Sequence, residues 1–438
     1  MKFTASIVAI ISGASLAGLP RAHGITLEQV LQTTLEKNPT IQQAKARLEE
    51  AAGRRLVFQS IAWPDAKIGV PAGVQGGSRA GESGTKVFGF VRGFLTQPLF
   101  NAAIPSSRRR GDVEILIAQQ QLNVAVMEQL DAARVAFYAA LFNRELESIR
   151  REQQQRLEEN VTSQKDRYQA GLTDRGAFTS ATVEARALDA QVESARRAWQ
   201  QARLKLAEEM ASGSSSLPVP EGELRTTPLQ VDLDSETGRA MEQRADLKLA
   251  RLLVRAANED RRIIEAGYYP LIAARMSGDY IPVSGIHRED SSRRTEDFLS
   301  SEVRIGATYT WHVIDNGKIS GASQKQGAAR DINELTCRKL KINVRAELSR
   351  IYNDLKAIDA RQESLSGAST AAQQGVELVS QNLANGLASQ LEYRVSQNGL
   401  LQTRSGLLEA AYQRSLAMAE WDRAIGRYFR FSDDGKVP

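Results

Sequence analysis

The chain has 438 residues, 42% hydrophobic and 25% charged, with a formal net charge of +5, values of an ordinary folded protein and not of a disordered or collagen-like one. A single cysteine (Cys337) excludes an internal disulfide, and three scattered histidines (His23, His287, His312) give no zinc-type spacing. Beyond residue 25 no window reaches about 18 consecutive apolar residues, so a membrane could be crossed only by a closed β-barrel.

The first element is a predicted secretory signal over residues 1–24. Lys2 precedes an apolar run from Ile7 to Leu19, and Ala22-His23-Gly24 places small residues where a signal peptidase inspects them. Its removal takes Lys2 and Arg21 and no acid, lowering the charge from +5 to +3. The basic clusters Arg108-Arg109-Arg110 and Arg293-Arg294 lack interleaved aromatics and read as solvated surface, with no nucleic-acid partner implied.

A first structural repeat is predicted over 25–211: a helix (26–60), a β-hairpin (about 66–98), a very long helix (101–170), a glycine-containing turn, and a further helix (176–211). Residues 212–234 form a linker, marked by the Pro- and Gly-rich stretch Ser212–Pro228. A second repeat over 235–430 has the same order: helix (235–267), hairpin (about 271–312), long helix (318–385), turn, helix (389–427). Residues 431–438 are expected to be a flexible tail.

The repetition is visible in the residues. Ala44–Pro64 aligns with Ala250–Pro270, each ending in an aromatic and a proline (Trp63-Pro64, Tyr269-Pro270). Leu99-Phe100-Asn101 aligns with Val313-Ile314-Asp315, Phe137-Tyr138 with Ile351-Tyr352, and Arg167–Leu172 with Asn382–Leu387. A period above 200 residues is too long for a solenoid and points to duplication of a half-protein.

Val303, Ile305, Ala307, Tyr309 and Trp311 alternate with polar residues, the period-two pattern of strands with one apolar face. Ala274, Met276, Gly278 and Tyr280 do the same, whereas Phe88, Phe90 and Phe94 share a face with Arg92. Strands of about ten residues suit a tilted bilayer crossing, with interfacial aromatics near their ends. Four strands cannot close a barrel, because single-chain membrane barrels begin at about eight, so several chains must share one. In the second long helix Leu340, Val344, Leu348, Ile351, Leu355 and Ile358 recur at coiled-coil spacing. That narrow stripe, broken by small residues, is expected to build a thin wall.

The mature chain as a whole resembles the TolC-type outer-membrane efflux protein family. The matching segments are Ile25–Ala51, Gln97–Asn101 (QPLFN), Trp311–Lys318 (WHVIDNGK), Arg167–Leu172 (RYQAGL) and Asn382–Leu387 (NLANGL), together with the duplication. The resemblance implies a mainly α fold with membrane β. Long antiparallel helices would form an α-barrel, and four strands per chain would enter a shared, trimeric, 12-stranded β-barrel. It implies a homotrimer in the outer membrane of a Gram-negative bacterium, set in lipid and extending into the periplasm. Its partners would be a periplasmic adaptor and an inner-membrane ABC or proton-driven pump. The cargo, whether drugs, metals or secreted proteins, is left open.

The turns after the two long helices carry the expected site. In the family this tip is both gate and adaptor contact, which assigns docking to Ala170, Gly171, Leu172, Asn385, Gly386 and Leu387. Gly171 and Gly386 can adopt the positive φ that ends a helix. Family members often place an acid about six residues past this glycine; here the second repeat has Glu392 but the first has Ala177, a departure, and the next family acid is Val395. The expected gate is therefore a thinner ring of Glu392, with Asp174 and Arg175 adding charge nearby, and crowding in a trimer would favour cations and raise the carboxyl pKa. No cofactor, metal or catalytic residue is assigned, and no enzyme is expected. The competing reading is a soluble periplasmic coiled-coil adaptor or scaffold, which accounts for the helices and the signal but not for the paired amphipathic strands.

Overall fold

The computed structural model describes residues 24–79, 82–212, 217–224, 232–280 and 301–427. The predicted signal up to residue 23, the His287–Ser300 loop with Arg293-Arg294, parts of the linker, and the tail lie outside these residues.

Each repeat opens with two helices, not one. α1 (Leu27–Lys37) and α2 (Pro39–Ser60) are separated at Asn38, whose Oδ1 accepts from Thr40 N at 2.9 Å while Pro39 takes the first helical position. Proline there has no N–H to lose, and asparagine is a strong N-cap. In the second repeat α5 (Leu233–Gln243) and α6 (Ala245–Glu265) part at Arg244, the residue that the alignment places opposite Asn38.

Strands β1 (Asp65–Gly69) and β2 (Ala72–Arg79) run out, and β3 (Glu82–Gly89) and β4 (Val91–Phe100) return. Pro71 offers no N–H and interrupts the strand, but its carbonyl still accepts from Phe90 N at 3.1 Å. β5 (Leu271–Tyr280) and β6 (Ser301–Thr310) complete an antiparallel sheet of order β1-β4-β5-β6. Register sorts its two faces. Ile68, Gly93, Gly278 and Val303 form one cross-strand row, and Ala66, Leu95, Met276 and Ile305 another. The opposite face carries Gly69, Arg92, Asp279 and Glu302, then Lys67, Phe94, Ser277 and Arg304. Arg92 Nε donates to Asp279 Oδ1 at 2.5 Å, and its guanidinium lies 4.9 Å from the Phe90 ring centre, which accounts for aromatics on the polar face. The apolar face is bare: Ile305 is 79% exposed and Ile68 82%.

α3 (Ala103–Gln169) and α7 (Lys318–Ala384) each have 67 residues, about 100 Å at 1.5 Å per residue. The aligned residues Asn101 and Asp315 start them: Asn101 Oδ1 accepts from Ala103 N at 2.9 Å, and Asp315 Oδ2 from Ile319 N at 2.7 Å. α4 (Arg175–Glu209) returns along α3, and α8 (Gln390–Ala424) along α7 and α3. The far half of the wall is thus α4-α3-α8-α7; toward the sheet, α2 and α6 pack against α3, and α6 against α7. Ala181, Leu188, Ala195 and Ala202 recur every seven residues on the buried side of α4, a seam of small side chains that lets the helices lie close.

The helices are not uniformly thin. At mid-length Val30, Leu31, Phe137, Leu141 and Leu206 bury together, and so do Leu247, Val344, Leu348, Ile351, Leu355 and Trp421. The α7 stripe expected to line a thin wall is instead one side of a local core, because α5, α6 and α8 all close over it. Nor is Arg108–Arg110 simply solvated surface. Arg109 pairs with Glu259 at 3.0 Å and Arg110 with Asp260 at 2.9 Å, tying α3 to α6. Among the described residues no helix is long and apolar enough to cross a membrane.

Candidate functional site

The end of the wall farthest from the sheet is built from two turns that share one construction. α3 is C-capped by Ala170, Gly171 takes φ +70°, and Leu172 N donates back to Arg167 O at 2.8 Å. α7 is C-capped by Asn385, Gly386 takes φ +72°, and Leu387 N donates to Asn382 O at 2.7 Å. A six-to-one bond over a left-handed residue is the Schellman closure, and only glycine enters that region without strain. All six expected docking residues, Ala170, Gly171, Leu172, Asn385, Gly386 and Leu387, are exposed. Leu172 and Leu387 are 70% and 78% exposed, the one apolar side chain each turn presents immediately after its glycine.

The following helices start differently. Asp174 is the N-cap of α4, and its Oδ1 accepts from Ala177 N at 2.7 Å. Ser389 is the N-cap of α8 and forms a reciprocal box with Glu392: Glu392 N donates to Ser389 Oγ at 3.2 Å, and Ser389 N donates to Glu392 Oε2 at 2.7 Å. Hydrogen bonds from the Ser389 N–H and hydroxyl hold the Glu392 carboxyl below the usual carboxylate range. The upward shift expected from crowding would act between copies of the chain, not within this one. The absent acid at Ala177 has a structural counterpart, since each turn carries one carboxylate, at the cap in the first repeat and three residues further in for the second. Both positions suit the positive end of a helix. Arg175 is the first residue of α4 and exposed.

One contact was not read from the sequence. Tyr168 and Phe178 stack across the first turn, ring centres 6.1 Å apart and 9° from parallel. Their aligned positions are Leu383 and Tyr393, so the signal was an aromatic pair bracketing one Gly turn only. Among the described residues no ion pair joins the two turns. The one nearest them that links the α3–α4 pair to α8 is Arg404–Glu152 at 3.8 Å. Above that, Phe142 stacks on Tyr412 at 4.5 Å, and Arg134 and Asp131 of α3 meet Asp422 and Arg423 of α8.

Three comparisons with known proteins bear on this arrangement. The family model described as outer membrane efflux protein matches residues 237–427. No curated protein matches the sequence. Among solved structures, the outer membrane protein VceC of Vibrio cholerae superposes with a TM-score of 0.75 at 18% identity, covering 92% of this chain and 97% of that one. The CmeC outer membrane channel of Campylobacter jejuni gives 0.77 at 13%, covering 91% and 85%. The open-state MtrE outer membrane channel of Neisseria gonorrhoeae gives 0.72 at 16%, covering 92% and 89%. At these identities the likeness is one of fold, and it extends over nearly the whole chain, including the first repeat that the family model does not reach.

Proposed function

We infer from the match of residues 237–427 to the family model described as outer membrane efflux protein that this chain belongs to that family and is one subunit of an outer-membrane channel-tunnel that conducts cargo passively out of the periplasm. The observation that carries the reading is the sheet. Its apolar face is exposed, β1 and β6 are its edges, and two helices of 67 residues leave it. In lipid an open sheet edge is not tolerated, so β6 of one copy pairs with β1 of the next. Three copies of a four-stranded sheet reach a closed barrel of twelve strands, above the minimum of about eight. The same three-fold assembly continues the four-helix wall into a twelve-helix tube.

At the tube's far end the exposed pair Leu172 and Leu387, with the exposed turns at Ala170-Gly171 and Asn385-Gly386, supplies the docking surface for a periplasmic adaptor. That adaptor couples the tunnel to an ABC or proton-driven pump in the inner membrane. Glu392 and Asp174, with Arg175 beside them, set the charge at the gate. Adaptor contacts favour the open arrangement of the turns by binding it more tightly.

Fractionation tests this. The full-length protein expressed in a Gram-negative host should resist alkali and high salt, dissolve only in detergent, migrate as a heat-sensitive oligomer, and conduct in planar bilayers. Release by alkali as a monomer without conductance would instead support a soluble coiled-coil scaffold.

A further inference from the structure

We propose that the Gly24–Ile25 peptide bond is the processing site of this chain, and that Glu221 is the receptor for the α-ammonium group its hydrolysis creates. The inference rests on the exported-protein reading and goes beyond it.

Ile25 is where the wall takes hold of the chain. Its N–H donates to Val219 O at 2.8 Å and its carbonyl accepts from Glu221 N at 2.9 Å, an isolated parallel bridge centred on Pro220. Its side chain packs on the core formed by Val30, Phe137 and Leu141. The strap that receives it, residues 217–224, is anchored from its other side. Arg203 of α4 donates to Leu217 O at 2.6 Å and to Pro218 O at 3.0 Å, and Arg144 of α3 donates to Pro220 O. Leu224 reaches the same core as Ile25. The position of Glu221 is thereby fixed by bonds on both sides of the strap.

The Glu221 side chain folds back over Gly24. A Cβ built on Gly24 would stand 2.6 Å from Glu221 Oε2 and 2.6 Å from its Cβ, so no residue with a side chain fits there. Among the described residues the Glu221 carboxylate has no hydrogen bond or ion pair. A solvent-exposed carboxylate is thus held by its backbone over Gly24, the residue before Ile25, with no protein partner among the described residues. While the leader is attached, that nitrogen has one proton, and Val219 O already takes it.

Hydrolysis changes the count. A leader peptidase adds water across the Gly24–Ile25 bond. The C–N bond breaks, hydroxide goes to the Gly24 carbonyl, which departs as the leader's carboxylate, and the proton goes to Ile25 N. At neutral pH that amine takes a further proton, since an α-amino group has a pKa of about 7.7–8.0. The resulting ammonium has three donors: one keeps the bond to Val219 O, and the others face Glu221 in the space Gly24 vacates. Processing therefore adds a charge-assisted clasp between the start of α1 and the strap at the waist of the wall, which the unprocessed chain cannot form.

The test uses the mature protein extracted from membranes in detergent. Intact mass and N-terminal sequencing should give Ile25 as the first residue. Mild acetylation with an N-hydroxysuccinimide ester, mapped by peptide mass spectrometry, should label the Ile25 amine at least about tenfold more slowly in the native protein than after unfolding in urea, as expected for a charge-assisted pair. Glu221→Gln should raise the native rate to within about twofold of the unfolded one. A different first residue would defeat the processing assignment, while detergent-only extraction would leave the channel reading standing. A start at Ile25 with equal native and unfolded rates in the wild type would overturn the role of Glu221 whether or not the variant folds.

Discussion

Asp174 and Glu392 each place one carboxylate over the first turn of the helix that leaves a tip turn, Asp174 from the N-cap and Glu392 from three residues inside it. Charge and capping are therefore confounded in any alanine variant, and isosteric amides separate them. Glutamine serves a capping box and asparagine an N-cap. Glu392→Gln and Asp174→Asn should keep the turns while lowering cation preference, read as a shift of reversal potential across a KCl gradient in planar bilayers. The double variant should shift further. If the amides conduct as the wild type does and only Glu392→Ala differs, these residues are caps and not part of a gate.

The turn glycines test backbone alone. At Gly171 and Gly386 nothing lies within 4 Å of an added Cβ, so alanine would cost only the left-handed conformation, about 1–2 kcal/mol. Gly171→Ala and Gly386→Ala should speed amide hydrogen exchange at their own turn and leave the mid-length cores unchanged. Asparagine, which tolerates that region better, should be milder at both. Uniform loss of protection along α3 and α7 would contradict a local origin.

The sequence was most informative where a period repeats. The alternation through Val303–Trp311 gave the sheet faces that register later aligned, and the half-protein duplication told where the second turn would recur. The breaks at Asn38 and Arg244 were missed, since each was read inside one continuous helix; the repeat offset relates the two positions, but only Asn38 precedes a proline. What else escaped was tertiary. A heptad stripe looks the same beside one neighbouring helix or three, so the α7 core around Leu348 was not foreseen. An arginine reads as surface until its partner is known, although Arg414 is 2% exposed and bonds Asp359 at 2.6 Å. The bridge of Ile25 to the strap is main-chain pairing between segments far apart in sequence, and it leaves no side-chain pattern.

Arg244 should be the most sensitive single charge at the waist. It is buried, and its Nη1 donates to Glu347 Oε2 and to Ala424 O, both at 2.8 Å, while Nη2 pairs with Asp246 at 2.8 Å. Burial pulls its pKa down, but the Asp246 and Glu347 carboxylates outweigh that and keep it charged. Arg244→Met would leave the Ala424 carbonyl and the Asp246 carboxylate without their arginine donor and Glu347 with Arg423 alone, a loss of about 3 kcal/mol by analogy with other broken buried pairs. The denaturation midpoint in detergent should fall accordingly, and Arg244→Lys should recover part of it. A change below about 1 kcal/mol, the range of surface pairs, would show that the waist does not depend on this residue.

Acid should weaken the junction between sheet and tube through Glu114. Burial pushes its carboxyl up, but hydrogen bonds from Arg110 and Arg54 outweigh burial and hold it below the ordinary value of 4.5. A carboxyl depressed in the folded state contributes stability that is fully present above its unfolded pKa and is lost as pH falls through the lower, folded one. Glu114→Gln should therefore be less stable than the wild type at pH 7, and the difference should shrink only below about pH 4, near the unfolded carboxyl range. Paired denaturation midpoints at neutral and acid pH measure this. A gap that stays constant down to pH 3 would mean that Glu114 acts through packing between α2 and α3 and not through its charge.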